Sequence, residues 1–223
     1  MDLVARRITY SMRKMYLTSP PSLLRWLMPS GIIWEMPGNQ PTLYLTFDDG
    51  PITGVTDDTL AVLESHRVTA TFFCVGKNVR EHPALYNQII QAGHAVGNHT
   101  MNHLNGYRTP AGKYIQDVED CTKLVNTLLF RPPYGRITRK QASLLKSRYK
   151  IIMWSILSAD FDPDMNVSRC YDNVMKNIHP GAIISLHDNP KTAGKIVGLL
   201  NRLLPAIYNA GYDFSKIDYD KVP

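Results

Sequence analysis

From residue 42 onward, short runs rich in β-branched and aromatic residues alternate with longer amphipathic stretches. This is the pattern of repeated β-α units around a mainly parallel sheet or barrel. Expected strands are Leu43 to Phe47, Thr71 to Val75, His94 to Gly97, Ile151 to Ser155 and Ala182 to Leu186. Among the helices between them, one is expected to be capped by Thr56, with Val55 and Leu60 at the staple positions; another has Pro83 in its first turn and ends at Gly93. Further helices are expected near 111–128, 138–147, 167–178 and 192–209. Residues 1–40 lack this alternation and read as an extension or cover, leaving 41–223 as the working domain.

The reactive side chains fall at the C-terminal ends of the expected strands. Asp48 and Asp49 close the first, His99 follows the third, Asp160 follows Ile151 to Ser155, and His187 ends Ala182 to Leu186. In a barrel of parallel strands, that rim is where loops converge into an active site.

Composition narrows the class. A chain of 223 residues suits one large domain, and 44% hydrophobic with 20% charged residues suits a globular core. The formal charge of +6 is concentrated at one end: residues 1–30 carry Arg6, Arg7, Arg13, Lys14 and Arg25 against Asp2 alone, a net +4. The remainder is nearly balanced, so no nucleic-acid partner is expected. The basic N-terminus reads either as a solvated helix packed on the barrel or as a peripheral membrane contact. No apolar run before Trp34 reaches spanning length, and no signal-peptide pattern is seen, so a cytoplasmic or peripherally membrane-associated protein is expected. Cys74, Cys121 and Cys170 form no C-x-x-C pair and read as buried structural thiols.

Neighbouring side chains on a strand point to opposite faces unless the backbone turns, and Gly50-Pro51 after Asp48-Asp49 provides a turn. Two adjacent carboxylates repel one another, and a cation beside one relieves this. A natural division gives one to a metal and one to proton transfer. His99 and His103, at i and i+4, meet on one face of a helical turn. Two histidines and a carboxylate form a ligand set for a catalytic divalent ion, with Zn²⁺ first and Co²⁺ or Ni²⁺ as alternatives.

Four segments in order, Thr46-Phe47-Asp48-Asp49-Gly50, His99-Thr100-x-x-His103, Arg131-Pro132-Pro133-Tyr134 and Leu186-His187, resemble the signatures of the polysaccharide deacetylases, carbohydrate esterase family four with its NodB-like domain. The resemblance spans roughly residues 40 to 215 and implies a distorted (β/α) barrel. It also implies that Asp48 is the general base, that Asp49, His99 and His103 bind metal, and that Arg131 holds Asp48. By the same resemblance Tyr134 supplies a backbone N–H to an oxyanion, Leu186 lines the acetyl pocket, and His187 is the general acid tuned by Asp160. The implied activity is removal of N-acetyl groups from an N-acetylglucosamine-containing glycan. O-acetyl ester hydrolysis and a non-catalytic carbohydrate-associated module are the alternatives. Phe161 stands where the family has Trp, and Leu157 where many members have Asp, which bears on the substrate-binding wall.

Overall fold

The computed structural model describes residues 18–21, 25–26 and 28–223. In chain order its elements are β1 (Ile32–Ile33), β2 (Thr42–Asp48), α1 (Thr56–Ser65), β3 (Thr71–Cys74), α2 (Gly76–Glu81), α3 (Pro83–Gln91), β4 (Ala95–Asn98) and α4 (Ala111–Thr122). They continue with β5 (Leu129–Phe130), α5 (Arg139–Leu145), β6 (Lys150–Ile152), β7 (Ile156–Leu157), α6 (Val167–Met175), β8 (Ile183–His187), α7 (Ile196–Asn209) and β9 (Asp213–Phe214).

Eight parallel strands, ordered β1-β6-β5-β4-β3-β2-β8-β7, curl into an incomplete barrel, and β9 pairs with the start of β2. Helices cover the outside, as parallel crossovers require. The expected distorted (β/α) barrel is therefore observed. Ile32–Ile33, from the segment read as extension or cover, extends the sheet alongside β6. The basic stretch behind the expected membrane contact lies mostly outside the described residues; within them, no helix is long and apolar enough to cross a membrane.

The period-two alternation of β2 sorts its side chains. Leu43, Leu45 and Phe47 pack toward the helices with Leu63 of α1 and Leu199 and Leu203 of α7, all fully buried. The intervening Thr46 and Asp48 face the other way, into the barrel. A second cluster fills that interior with Ile33, Phe73, Leu129, Ile152 and Ile183. Burying five such side chains contributes roughly 1.5–3 kcal/mol each, an upper range because unfolded chains already hide some apolar surface. A third cluster seats α4 and α5 through Tyr114, Val118, Ala142 and Leu145 on Phe130 and Ile151.

Three local readings need correction. The expected strand Ile151 to Ser155 holds only the end of β6, and β7 begins just beyond it, because the chain changes partners: Met153 N–H donates to Ile33 O, whereas Ser155 N–H donates to Ile183 O. Thr56 does not cap α1. Val55 occupies the N-cap without a side-chain bond, and the Thr56 hydroxyl instead accepts from Ile52 N–H and donates to buried Asp188. The last helix starts at Ile196, not near 192, since the Thr192 hydroxyl is engaged by the carbonyls of His187 and Asn189.

Candidate active site

The C-terminal strand ends open into a cleft of about 880 Å³, a volume suited to a ligand. Asp48, Asp49, His99, His103, Tyr134 and His187 all line it. Arg131 and Asp160 are fully buried immediately behind it.

Asp48 continues the inward face of β2, and the turn then falls on Asp49 itself, whose φ is +89°. That left-handed conformation is unusual for a residue other than glycine, and it swings the second carboxylate away from the first. The following Gly50 has no freedom to be larger, because a Cβ there would overlap the Asp188 carboxylate. The two acids consequently meet different partners. Asp48 Oδ1 accepts from Arg131 Nη1 at 2.7 Å, and its Oδ2 accepts from the Ser185 hydroxyl at 3.3 Å. Asp49 Oδ1 faces His103 Nε2 at 3.0 Å and His99 Nε2 at 3.6 Å.

The Asp49, His99 and His103 donor atoms lie within 4.8 Å of one another. Among the described residues this is the group of three acids, histidines or cysteines placed to hold an ion. Each imidazole is oriented from behind: His99 Nδ1 lies 2.8 Å from the Arg131 carbonyl, and His103 Nδ1 lies 3.1 Å from the Tyr134 hydroxyl. A Nδ1–H donated to the Arg131 carbonyl leaves His99 Nε2 as a lone-pair donor directed at Asp49, the arrangement a metal site requires. Burial opposes ionisation of Asp49, but without an ion the His103 and His99 imidazoles, when they carry the Nε2 proton, hold its carboxyl well below the usual carboxylate range. The chemistry and convergence of these donors fit a divalent ion.

On β8, in register with Asp48, His187 Nδ1 is 2.8 Å from Asp160 Oδ1, and Asp160 Oδ2 accepts the His187 backbone N–H at 2.8 Å. The Ser158 hydroxyl completes this carboxylate at 2.9 Å. Burial alone would strip the proton from His187, yet the charge and hydrogen bond of Asp160 raise it to about 9. With Nδ1 facing Asp160, Nε2 is the proton-bearing atom left for the cleft. The Phe161 ring stands edge-on to this imidazole at 4.9 Å.

Tyr134 sits at φ +61°, followed by Gly135 at +63°, so the backbone rolls over at the cleft mouth and leaves Tyr134 59% exposed. Leu186 is placed differently from expectation. It is fully buried in the layer under the helices, paired in register with Phe47, and does not line the cleft. With His187 pointing inward, strand alternation sends Leu186 outward and brings Ser185 inward. His66, His82, His94 and His179 hydrogen-bond elsewhere, to Asn201, Thr53, the Ala70 N–H and the Asn177 carbonyl. Trp154 also lines the cleft.

Sequence reasoning passes over the site contacts of Thr46, Ser185 and Asn189. Thr46 and Ser185 are register partners one step below the Asp48–His187 pair. Hydroxyls two residues before a functional group, in otherwise apolar strands, were the available signal. By sequence Asp188 reads equally as a ligand for substrate hydroxyls or as a turn former, but it is fully buried, accepts from Gly50 N–H at 3.0 Å and Thr56 Oγ1 at 2.6 Å, and is pushed by burial up to about 8.

The fold and site define an α/β-barrel protein whose strand ends carry an Asp-His-His group that could hold an ion, beside the Asp48–Arg131 and His187–Asp160 pairs. The chain belongs to the polysaccharide deacetylase family, whose profile matches residues 35–149, and this membership supports deacetylase function, a hydrolysis of carbon–nitrogen bonds. It is 34% identical over 200 residues to a peptidoglycan-N-acetylglucosamine deacetylase of Bacillus cereus, covering 86% of this chain and 94% of the relative. A chitooligosaccharide deacetylase of Bradyrhizobium is 32% identical, with 77% and 87% covered. Among solved structures, a peptidoglycan N-acetylglucosamine deacetylase in complex with 4-naphthalen-1-yl-N-oxidanyl-benzamide superposes with a TM-score of 0.80 at 28% identity, covering 84% of this chain and 91% of the other. A pseudoenzyme of the same family from Bacillus anthracis has a TM-score of 0.71 at 26% identity, with 87% and 69% covered.

Proposed function

We propose that this chain is a metal-dependent deacetylase that hydrolyses the acetamide of an N-acetylglucosamine-containing glycan of peptidoglycan or chitooligosaccharide type, with Asp48 as general base and His187 as general acid. Residues 41–223 would form the catalytic domain. A family that includes a pseudoenzyme does not guarantee catalysis by fold. The observation carrying the proposal is that two unlike ionisable groups, Asp48 on Arg131 and His187 on Asp160, share a single cleft with one Asp49-His99-His103 donor set.

A divalent ion such as Zn²⁺, with Co²⁺ or Ni²⁺ as alternatives, would polarise the acetyl carbonyl and acidify a water when held by Asp49, His99 and His103. Asp48 has each oxygen anchored by a single partner, which leaves lone pairs to take the water's proton. Arg131 positions that carboxylate through a rigid, permanently charged fork. The Tyr134 backbone N–H, on its left-handed turn, is the donor assigned to the developing oxyanion. An amine leaves poorly without a proton, and His187 Nε2–H supplies it while Asp160 stabilises the imidazolium. Both relatives' names support an N-acetylated sugar as substrate.

Acetate release from chitooligosaccharides, peptidoglycan fragments and acetylated xylan tests this directly. Release from at least one N-acetylated substrate is expected, abolished by chelation and restored by Zn²⁺. No release from any of them by metal-loaded protein would sink the proposal, and release from xylan alone would replace it with O-acetyl ester hydrolysis.

The Asp160–His187 pair adds a pH prediction. The acid works only while protonated, and Asp160, with smaller contributions from Asp49 and Asp48, raises His187 to about 9 against burial, so activity should fall as pH rises through that region. Asp160→Asn removes the charge, so the alkaline limb of the kcat profile should move to lower pH. An unmoved limb would show that another group sets it.

A further inference from the structure

The loop leaving β8 grips the β2 turn at successive residues. Asp188 N–H donates to Asp48 O at 3.2 Å, Asp188 Oδ1 accepts from Gly50 N–H at 3.0 Å, and Asn189 Nδ2 donates to Asp49 Oδ2 at 2.6 Å. The last bond falls on the oxygen of Asp49 that does not face the histidines, since His103 and His99 both address Oδ1. The orientation of the amide is determined by its other end. Asn189 Oδ1 accepts the Lys191 backbone N–H at 2.9 Å, so the nitrogen must be the atom presented to Asp49. The side chain is also held in place: Asn189 is only 7% exposed, and its own N–H and carbonyl are both bonded to the Thr192 hydroxyl.

We propose that Asn189 is a positioning residue for the metal: by occupying Asp49 Oδ2, it confines Asp49 to one-oxygen coordination and preorganises Oδ1 between the two imidazoles. This rests on the reading of Asp49, His99 and His103 as ligands. A carboxylate that grips an ion with both oxygens occupies two coordination positions. A carboxylate held to one oxygen leaves a position for water or substrate, which is what separates a catalytic site from a closed structural one. Partners that orient ligating carboxylates from outside commonly change metal affinity by about 10–100-fold when removed.

The test measures Zn²⁺ affinity by competition with a chromogenic chelator, together with the visible spectrum of Co²⁺-loaded protein. Wild type, Asn189→Leu, Asn189→Ala and Asp49→Ala would be compared, with the melting temperature of each metal-free protein. Both Asn189 variants should remain folded, bind Zn²⁺ about 10–100-fold more weakly and show an altered Co²⁺ spectrum, whereas Asp49→Ala should lose binding. Unchanged affinity and spectrum in a folded Asn189 variant would overturn the inference while leaving the ligand assignment intact. Wild type that binds neither ion would overturn both.

Discussion

His187→Ala is expected to lower kcat by roughly 10²–10⁴-fold, the contribution typical of a positioned general acid, while the protein retains its metal through dialysis. His99→Ala should lose metal and turnover together. The contrast follows from where the two imidazoles point. His99 Nδ1 is committed to the Arg131 carbonyl and its Nε2 to the Asp49 side of the cleft, so its removal takes away one of three donors. His187 is tied to Asp160 through Nδ1 and belongs to no donor cluster among the described residues. Metal analysis after dialysis, paired with acetate-release kinetics, separates the two cases. Equal metal loss in both variants would merge roles that the geometry keeps apart.

The same contrast shows how far one-dimensional reading reaches. Asp48, Asp49, His99, His103 and His187 were legible because their chemistry is concentrated at strand ends, and because strand ends in a parallel barrel converge. Their partners were harder to see. The 2.6 Å contact of Asn189 with Asp49 spans 140 residues, and the Asp188 contact with Gly50 spans 138, so neither leaves any local trace. The misplacement of Leu186 has a simpler cause. A strand's inward set alternates, and choosing the residue next to His187 instead of the one two before it selects the wrong face. Two-residue strands such as β5 and β7 are too short to show a period at all, yet β5 delivers Arg131 and β7 leads to Asp160. Thr56 was read from its local rank as a cap, but its hydroxyl is engaged by a carboxylate 132 residues away, a tertiary contact that overrides helix-end preference.

Arg131→Met should reduce both stability and activity. The guanidinium is fully buried, donates to Asp48 and Thr46 at 2.7 Å each, to the Met153 carbonyl at 2.9 Å and to the Ile152 carbonyl at 3.3 Å, and lies 4.1 Å over the Phe73 ring. Burial pulls its pKa below the ordinary value while the Asp48 charge opposes that shift, so each charge is tolerated because of the other. Removing one partner leaves the nearly inaccessible Asp48 carboxylate and two main-chain carbonyls without their donor, at a cost of about 3–5 kcal/mol. For a domain of this size that corresponds to a fall in Tm of roughly 6–20 °C. Lysine should not rescue it, because an ammonium cannot span four acceptors in a planar fork or stack on Phe73. Pairing Arg131→Met with Asp48→Asn should recover part of the loss, since the double variant leaves no unpaired charge, with a coupling of about 0.5–3 kcal/mol. That recovered stability should come without recovered turnover, because the proton acceptor has gone. Thermal and denaturant unfolding of the four-member cycle measures the coupling, and zero coupling would mean that Arg131 supports the barrel independently of the carboxylate it holds.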